Sequence, residues 1–210
     1  MPGSTEVLAP SRASIYRNID WEGAYATVLG QNHSYLSHGP VMSTLGLPLY
    51  LANSDREYFE ASAANNAVMW SCFGWLIEAM VETLESVLRV PIVFDPRLAL
   101  PGFHIFKTTA ITPFSGGVWH IDVFRYELIP PPRVSYSATL LLGDSETSYG
   151  IDYRTNHTDG FFQHQIGAVT IFNSALQHRL APVCPSQVPK ARVTLQAHIW
   201  MYPQYAIAFW

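Results

Sequence analysis

His120 and Asp122 are separated by a single residue. On a β-strand, residues two apart project to the same face, so an imidazole and a carboxylate would stand side by side. These are two ligands for a divalent metal, and a histidine from a distant strand would supply a third. His178 is the candidate, because it opens the strand-forming run Arg179-Leu180-Ala181-Pro182-Val183. Two imidazoles and one carboxylate cover one face of an octahedral ion and leave the opposite face open. That pattern suits non-haem Fe(II) and the activation of oxygen. Taken alone, the His-x-Asp tripeptide is weak, and a surface histidine beside a turn aspartate is its plain alternative.

A second feature lies near the C-terminus. In the run from Arg192 to Trp200, Val193, Leu195, Ala197 and Ile199 fall on one face of a strand. Arg192, Thr194, Gln196 and His198 fall on the other. An inward-facing arginine needs a partner, since an unpaired buried charge is costly. A ligand carboxylate would serve, held by the planar guanidinium fork through two parallel hydrogen bonds, with Thr194 as a further donor. An internal Asp or Glu would serve equally well, and both readings stand at this point.

The context joins these features in order. Ser115-Gly116-Gly117-Val118-Trp119 reads as a turn and strand start leading into His120. His178 follows His120 by 58 residues (178 − 120), and Arg192 follows His178 by 14 (192 − 178). Over about residues 102–200 this order resembles the Fe(II)- and 2-oxoglutarate-dependent dioxygenases. Their signature is His-x-Asp/Glu, then a distal histidine, then an arginine or lysine, often as Arg-x-Ser/Thr. Trp119-His120-Ile121-Asp122 is similar to the tryptophan-preceded motif of the phytanoyl-CoA-hydroxylase-like branch.

The resemblance implies iron ligation by His120, Asp122 and His178, and 2-oxoglutarate held through its distal carboxylate by Arg192 and Thr194. It implies dioxygen as the oxidant, with succinate and carbon dioxide released as a substrate is oxidised. The cosubstrate and metal carry the hard chemistry, and the protein supplies geometry and dryness. Halogenases of the family replace the carboxylate ligand with a small residue; Asp122 is retained here, which favours hydroxylation. Desaturation, epoxidation and cyclisation use the same ligands.

These side chains need a scaffold. Residues 21–30 read as a short helix capped by Asp20. Asp55 is a candidate cap for a further helical stretch, with Asn65 and Asn66 as a candidate interruption. From residue 67 to 89, Trp70, Phe73, Ile77, Met80, Val81, Leu84 and Leu88 recur at spacings of three and four, which marks an amphipathic helix stopped by Pro91. Beyond Pro101, strands are expected near 103–111, 118–128, 134–142, 148–154, 161–165, 167–173, 178–183 and 191–201. The fold expected is mainly β with N-terminal helices: a double-stranded β-helix, or cupin-like jelly-roll barrel, braced by helices. No linker divides the chain, so one domain is expected, with residues 1–100 as helical support and lid and 101–210 as the jelly-roll core. Residues 32–60 and 144–162 are the candidate lid.

Other histidines lack a partner at ligand spacing. His33, His38 and His157 read as loop residues and His164 as a strand end. His104 and Lys107 fall on opposite faces of one strand, and His198 shares the face of Arg192. Phe124 and Tyr126 share the face of the first ligands, and Trp119 faces away from it. Arg125 and Arg154 are candidate anion contacts that are also ordinary surface charges. Gln177 is a candidate support for the distal histidine.

Composition bounds the function. The 210 residues are 49% hydrophobic and 13% charged, enough for a sizeable core. The formal net charge is −4, without a basic run, which argues against a nucleic-acid partner. Cys72 and Cys184 alone make no disulfide framework, and the N-terminus lacks a signal-peptide pattern, so a cytoplasmic setting is expected. The most apolar run, residues 67–81, is shorter than the roughly 20 residues of a membrane span. A chain of this length fits a small-molecule or amino-acid-like substrate. Two alternatives remain open: a cupin-type metal enzyme that does not use 2-oxoglutarate, and a non-catalytic barrel acting as a binding module. Oligomeric state is not legible.

Overall fold

Strand β11 (Lys190–Met201) is the axis of the fold, because both of its faces are buried and three strands pair with it. Val193, Leu195, Ala197 and Ile199 enter the main apolar core, while Arg192, Thr194 and His198 are buried on the opposite face. The alternation read from sequence therefore separates two different interiors, one apolar and one polar.

In the computed structural model, residues 9–51, 54–108, 116–122, 131–143, 149–156, 158–182 and 190–210 are described. In chain order the elements are β1 (Ser11–Ser14), α1 (Trp21–Gly30), β2 (Leu36–Ser37), β3 (Met42–Leu45), α2 (Asp55–Leu88), β4 (Ile92–Val93), β5 (Gly102–Thr108) and β6 (Val134–Gly143). Then come β7 (Gly150–Arg154), β8 (Asp159–Gln163), β9 (Ala168–Asn173), β10 (Gln177–Leu180), β11 and β12 (Ala206–Phe209). A nine-stranded sheet runs β1-β9-β6-β11-β5-β3-β2, with β12 on β11 and β4 parallel to β12. A second sheet has the order β10-β7-β8. The polar face of β11 looks toward this smaller sheet across a cavity.

Helix α1 begins where Asp20 accepts a hydrogen bond from the Gly23 amide. Helix α2 is a single 34-residue helix, longer than the pattern at residues 67–89 indicated. Its cap is Ser54, not Asp55: the Ser54 hydroxyl accepts from the Glu57 amide. Asn65 and Asn66 do not interrupt it. The Asn66 side chain donates to the Leu98 carbonyl at 2.9 Å and accepts from the Leu100 amide at 2.7 Å, which ties the helix to the segment before β5. Arg89 ends the helix in the left-handed conformation, ahead of Pro91. By length and composition α2 is long and apolar enough to cross a membrane, yet Phe73, Leu76, Ile77, Met80 and Leu84 are buried in the core shared with the large sheet.

Seven of the expected strands are present, with ends that differ from the expected ones by up to three residues. Of the eighth, 118–128, only residues 118–122 are described, and they pair with β10 through an isolated bridge at His120. Residues 109–111 and 123–128, with Phe124, Arg125 and Tyr126, lie outside the described residues, as do His157 and Cys184. The N-terminal part is less helical than expected, because β1 to β4 join the large sheet. The C-terminal Trp210 packs on Gly102, where a Cβ would come within 1.9 Å of its ring. Only a glycine permits that approach at the start of β5.

Candidate metal centre and cavity

Residues 116–122 run alongside β10. Gly116 turns the chain with φ of 101°. The Gly117 amide donates to the Leu180 carbonyl, His120 and His178 exchange two backbone hydrogen bonds of 2.9 Å, and the Asp122 amide donates to the Ser174 carbonyl. This register sets three side chains at one point. His120 Nε2 lies 3.5 Å from Asp122 Oδ1, and His178 Nε2 lies 3.4 Å from Asp122 Oδ2. Ligand atoms from all three fall within 4.8 Å of one another.

The hydrogen bonds around the cluster fix its chemistry. His120 Nδ1 is 2.7 Å from the Val118 carbonyl, and His178 Nδ1 is 2.9 Å from the Leu176 carbonyl. A carbonyl only accepts, so each ring donates from Nδ1, and the neutral ring then turns a lone pair on Nε2 toward the carboxylate. Two lone pairs and a carboxylate so close together repel unless a cation lies between them. The donor set and its spacing fit a divalent metal. Ser137 of β6 donates to Asp122 Oδ2 at 2.7 Å and lies 3.1 Å from the Ser174 hydroxyl. Burial would raise the Asp122 carboxyl, but His198, His178, the Ser137 hydroxyl and His120 outweigh it and hold the group below its ordinary value. Burial, in turn, lowers the His178 imidazole despite the nearby carboxylate. His120 is half exposed and His178 buried, so the cluster sits at a mouth.

Behind it lies a cavity of about 440 Å³. The three cluster residues line it together with His104, His164 and His198. Ile151, Phe172 and Leu180 give it apolar walls. Met42 and Tyr50, from the segment expected to form a lid, also face it. Tyr50 hydrogen-bonds His104 Nε2.

Arg192 is 2% exposed, and burial pushes its guanidinium down to about 10. Among the described residues no carboxylate pairs with it. Its Nη2 donates instead to His164 Nδ1 at 2.8 Å, and its Nε has no hydrogen-bond partner there. The rings of Phe106 and Tyr149 lie 6.0 and 5.7 Å from the guanidinium carbon. Thr194 is fully buried and accepts from Gln196 Nε2 at 3.3 Å. Neither Arg192 nor Thr194 lines the cavity directly; His164 and Phe106 stand between.

Several expectations need correction. His164 stands at a strand end, just past β8, but it is also buried and lines the cavity. His38 is a loop residue as read, but it is half-buried rather than exposed, and its Nε2 lies 2.9 Å from the Thr44 hydroxyl. Gln177 is exposed, and the Leu176 carbonyl orients His178 in its place. Arg154 is not a cavity residue: it pairs with Asp159 and stacks on Trp119, which also lies beneath Arg179. Trp119 thus packs on the outer side, as alternation required. Ser137, Tyr50 and Met42 had no signal in sequence, because each is an ordinary residue of a strand or loop until the fold places it.

No family model matches the chain, and no curated protein matches its sequence. Solved structures do. AviO1 from Streptomyces viridochromogenes Tue57 is similar with a TM-score of 0.55 and 10% identity, over 94% of this chain and 91% of that one. The non-haem alpha-ketoglutarate-dependent epimerase SnoN from nogalamycin biosynthesis gives 0.54 and 9%, over 92% and 80%. The non-haem alpha-ketoglutarate-dependent carbocyclase SnoK from the same biosynthesis gives 0.54 and 8%, over 91% and 81%. At such identities the likeness is one of fold: this chain has the fold of these enzymes.

Proposed function

We propose that the chain is a non-haem Fe(II)- and 2-oxoglutarate-dependent oxygenase that hydroxylates a small-molecule, amino-acid-like or natural-product substrate. The observation that carries this is the convergence of two Nε2 lone pairs and one carboxylate at the mouth of a cavity backed by a buried arginine without a carboxylate partner. The fold supports it, and Trp119-His120-Ile121-Asp122 supports a place in the phytanoyl-CoA-hydroxylase-like branch.

In this reading His120, Asp122 and His178 would hold iron. Bound there with 2-oxoglutarate and O2, iron would supply oxidative decarboxylation of the cosubstrate coupled to oxidation of a C–H bond. The protein does the rest. The Val118 and Leu176 carbonyls keep both imidazoles in the metal-binding tautomer, and Ser137 fixes the carboxylate rotamer. Arg192, with Thr194 beside it, places positive charge at the inner end of the cavity for the distal carboxylate. Phe172, Ile151 and Leu180 exclude water from the reacting region.

A cupin-type enzyme without 2-oxoglutarate would share the ligands but has no use for Arg192. Anaerobic titration of the Fe(II)-loaded protein with 2-oxoglutarate, followed by absorbance, separates the two. A saturable chelate band in wild type that is missing in His178→Ala is expected. Bound iron without such a band would favour the cupin reading.

A further inference from the structure

Tyr50 brings a phenol to the cavity from the one-turn helix Leu49–Leu51, which the Leu49 amide ties to the Trp210 carbonyl at 3.2 Å. Its hydroxyl hydrogen-bonds His104 Nε2, and both residues line the cavity. Which of the two donates decides what the phenol can do. The other ring nitrogen, His104 Nδ1, is buried without a hydrogen-bond partner among the described residues. Burial, then the charge of Arg192, keeps the ring neutral, so it carries one proton. On Nδ1 that proton would make an orphaned buried donor, whereas a bare lone pair there costs less. The proton therefore sits on Nε2 and is donated to the phenol oxygen. The phenol's own proton turns away from His104, and no acceptor among the described residues takes it.

The surroundings say what that donor can meet. Burial, followed by the Asp122 carboxylate, pushes the Tyr50 hydroxyl up, so it stays protonated at neutral pH and lies within electrostatic reach of the metal cluster. Asp122 is the only Asp, Glu, Lys or Arg among the described residues that line the cavity, and a bound metal would engage it. Met42, Ile151, Phe172 and Leu180 supply apolar wall. A charged group on a substrate would find no counter-charge here, and an uncharged acceptor would find one donor.

Resting on the oxygenase reading above, we propose that Tyr50 determines substrate specificity by donating its O–H to an uncharged acceptor oxygen, a ketone or ester carbonyl, on an otherwise apolar substrate. His104 is the positioning residue, since its Nε2–H fixes the direction in which the phenol donates. This narrows the substrate to a carbonyl-bearing apolar molecule and turns it away from free amino acids.

The probes are 1-tetralone and 1-methylenetetralin, which has CH2 in place of the ketone oxygen, with 1-aminotetralin as the charged counterpart. Each is titrated by calorimetry into Fe(II)-loaded wild type and Tyr50→Phe, kept anaerobic with excess 2-oxoglutarate. Tyr50→Phe keeps the ring and removes the donor. The ketone Kd should rise about three- to tenfold in the variant, the worth of one neutral hydrogen bond, while the hydrocarbon Kd holds. The amine should bind most weakly to both proteins. In 15N-detected spectra of the metal-free protein, His104 Nδ1 should show the shift of an unprotonated nitrogen.

Equal shifts for ketone and hydrocarbon would overturn the inference and reduce Tyr50 to packing. An unchanged ketone Kd, tightest binding of the amine, or a proton on His104 Nδ1 would also overturn it. So would absence of binding by all three probes, because a cavity of about 440 Å³ should admit two fused rings. A ketone preference that depends on Tyr50, in a protein whose iron gives no band with 2-oxoglutarate, would keep the acceptor contact and overturn the oxygenase reading alone.

Discussion

His120 and His178 hold each other in register through two reciprocal backbone hydrogen bonds of 2.9 Å, and their rings lie 4.3 Å apart. The bonds belong to the main chain, so the juxtaposition does not depend on the imidazoles. Metal affinity and fold stability are therefore separable at this site.

His120→Ala should reduce Fe(II) affinity by about a hundredfold or more, beyond the range seen when a supporting residue is removed. Far-UV circular dichroism should stay as in wild type, because the register bonds remain. Affinity is read by competition with a chromophoric chelator. Retained iron would remove His120 from the ligand set.

Ser137→Ala removes the hydroxyl that holds Asp122 Oδ2. The carboxylate is left free to rotate, and iron affinity should fall by about 10- to 100-fold. Isothermal calorimetry on the variant and wild type would measure this. A change in 2-oxoglutarate affinity alone would contradict the assignment.

Arg192→Ala should weaken 2-oxoglutarate binding by at least about tenfold while iron affinity holds, because it removes the buried positive charge. Arg192→Lys keeps the charge but loses the planar fork, and should fall between the two. The chelate titration reads all three proteins. Equal loss of iron and cosubstrate would point to misfolding instead.

Acid should destabilise the metal-free protein. Burial, then the charge of Arg192, pushes the His104 imidazole from 6.5 down to about 3, and the same causes hold His164 well below its ordinary value. The unfolded chain binds a proton at each ring below about pH 6.5, whereas the folded chain excludes it. Stability from these rings is thus fully present above that pH and is lost as pH falls toward 3. At pH 5 the His104 ring alone should cost roughly 2 kcal/mol relative to pH 7, and His164 acts in the same direction. Urea unfolding at the two pH values measures the sum, and a flat profile would show that both rings accept protons in the folded state.

Much of this was legible because it depends on local rules. The alternation at Arg192-Val193-Thr194-Leu195 fixed which side chains share a face, and the order His120, Asp122, His178, Arg192 placed the cluster and the buried cation in one interior. Asp20 before Trp21 marked a helix start. What escaped depends on tertiary placement. Ser11–Ser14 has no apolar pattern, yet it pairs with β9 because that strand has a free edge. Asn66 looked like a helix breaker, but it binds the backbone of Leu98 and Leu100. His164 stood alone in sequence, since its partner Arg192 is 28 residues away on β11.

The division of the metal cluster between two sheets has a mechanical consequence. Asp122 is tied through Ser137 to β6 of the large sheet, whereas His178 rides on β10 of the small one. An ion gripped by both would act as a rivet between two plates, joining the three short strands β7, β8 and β10 to the large sheet.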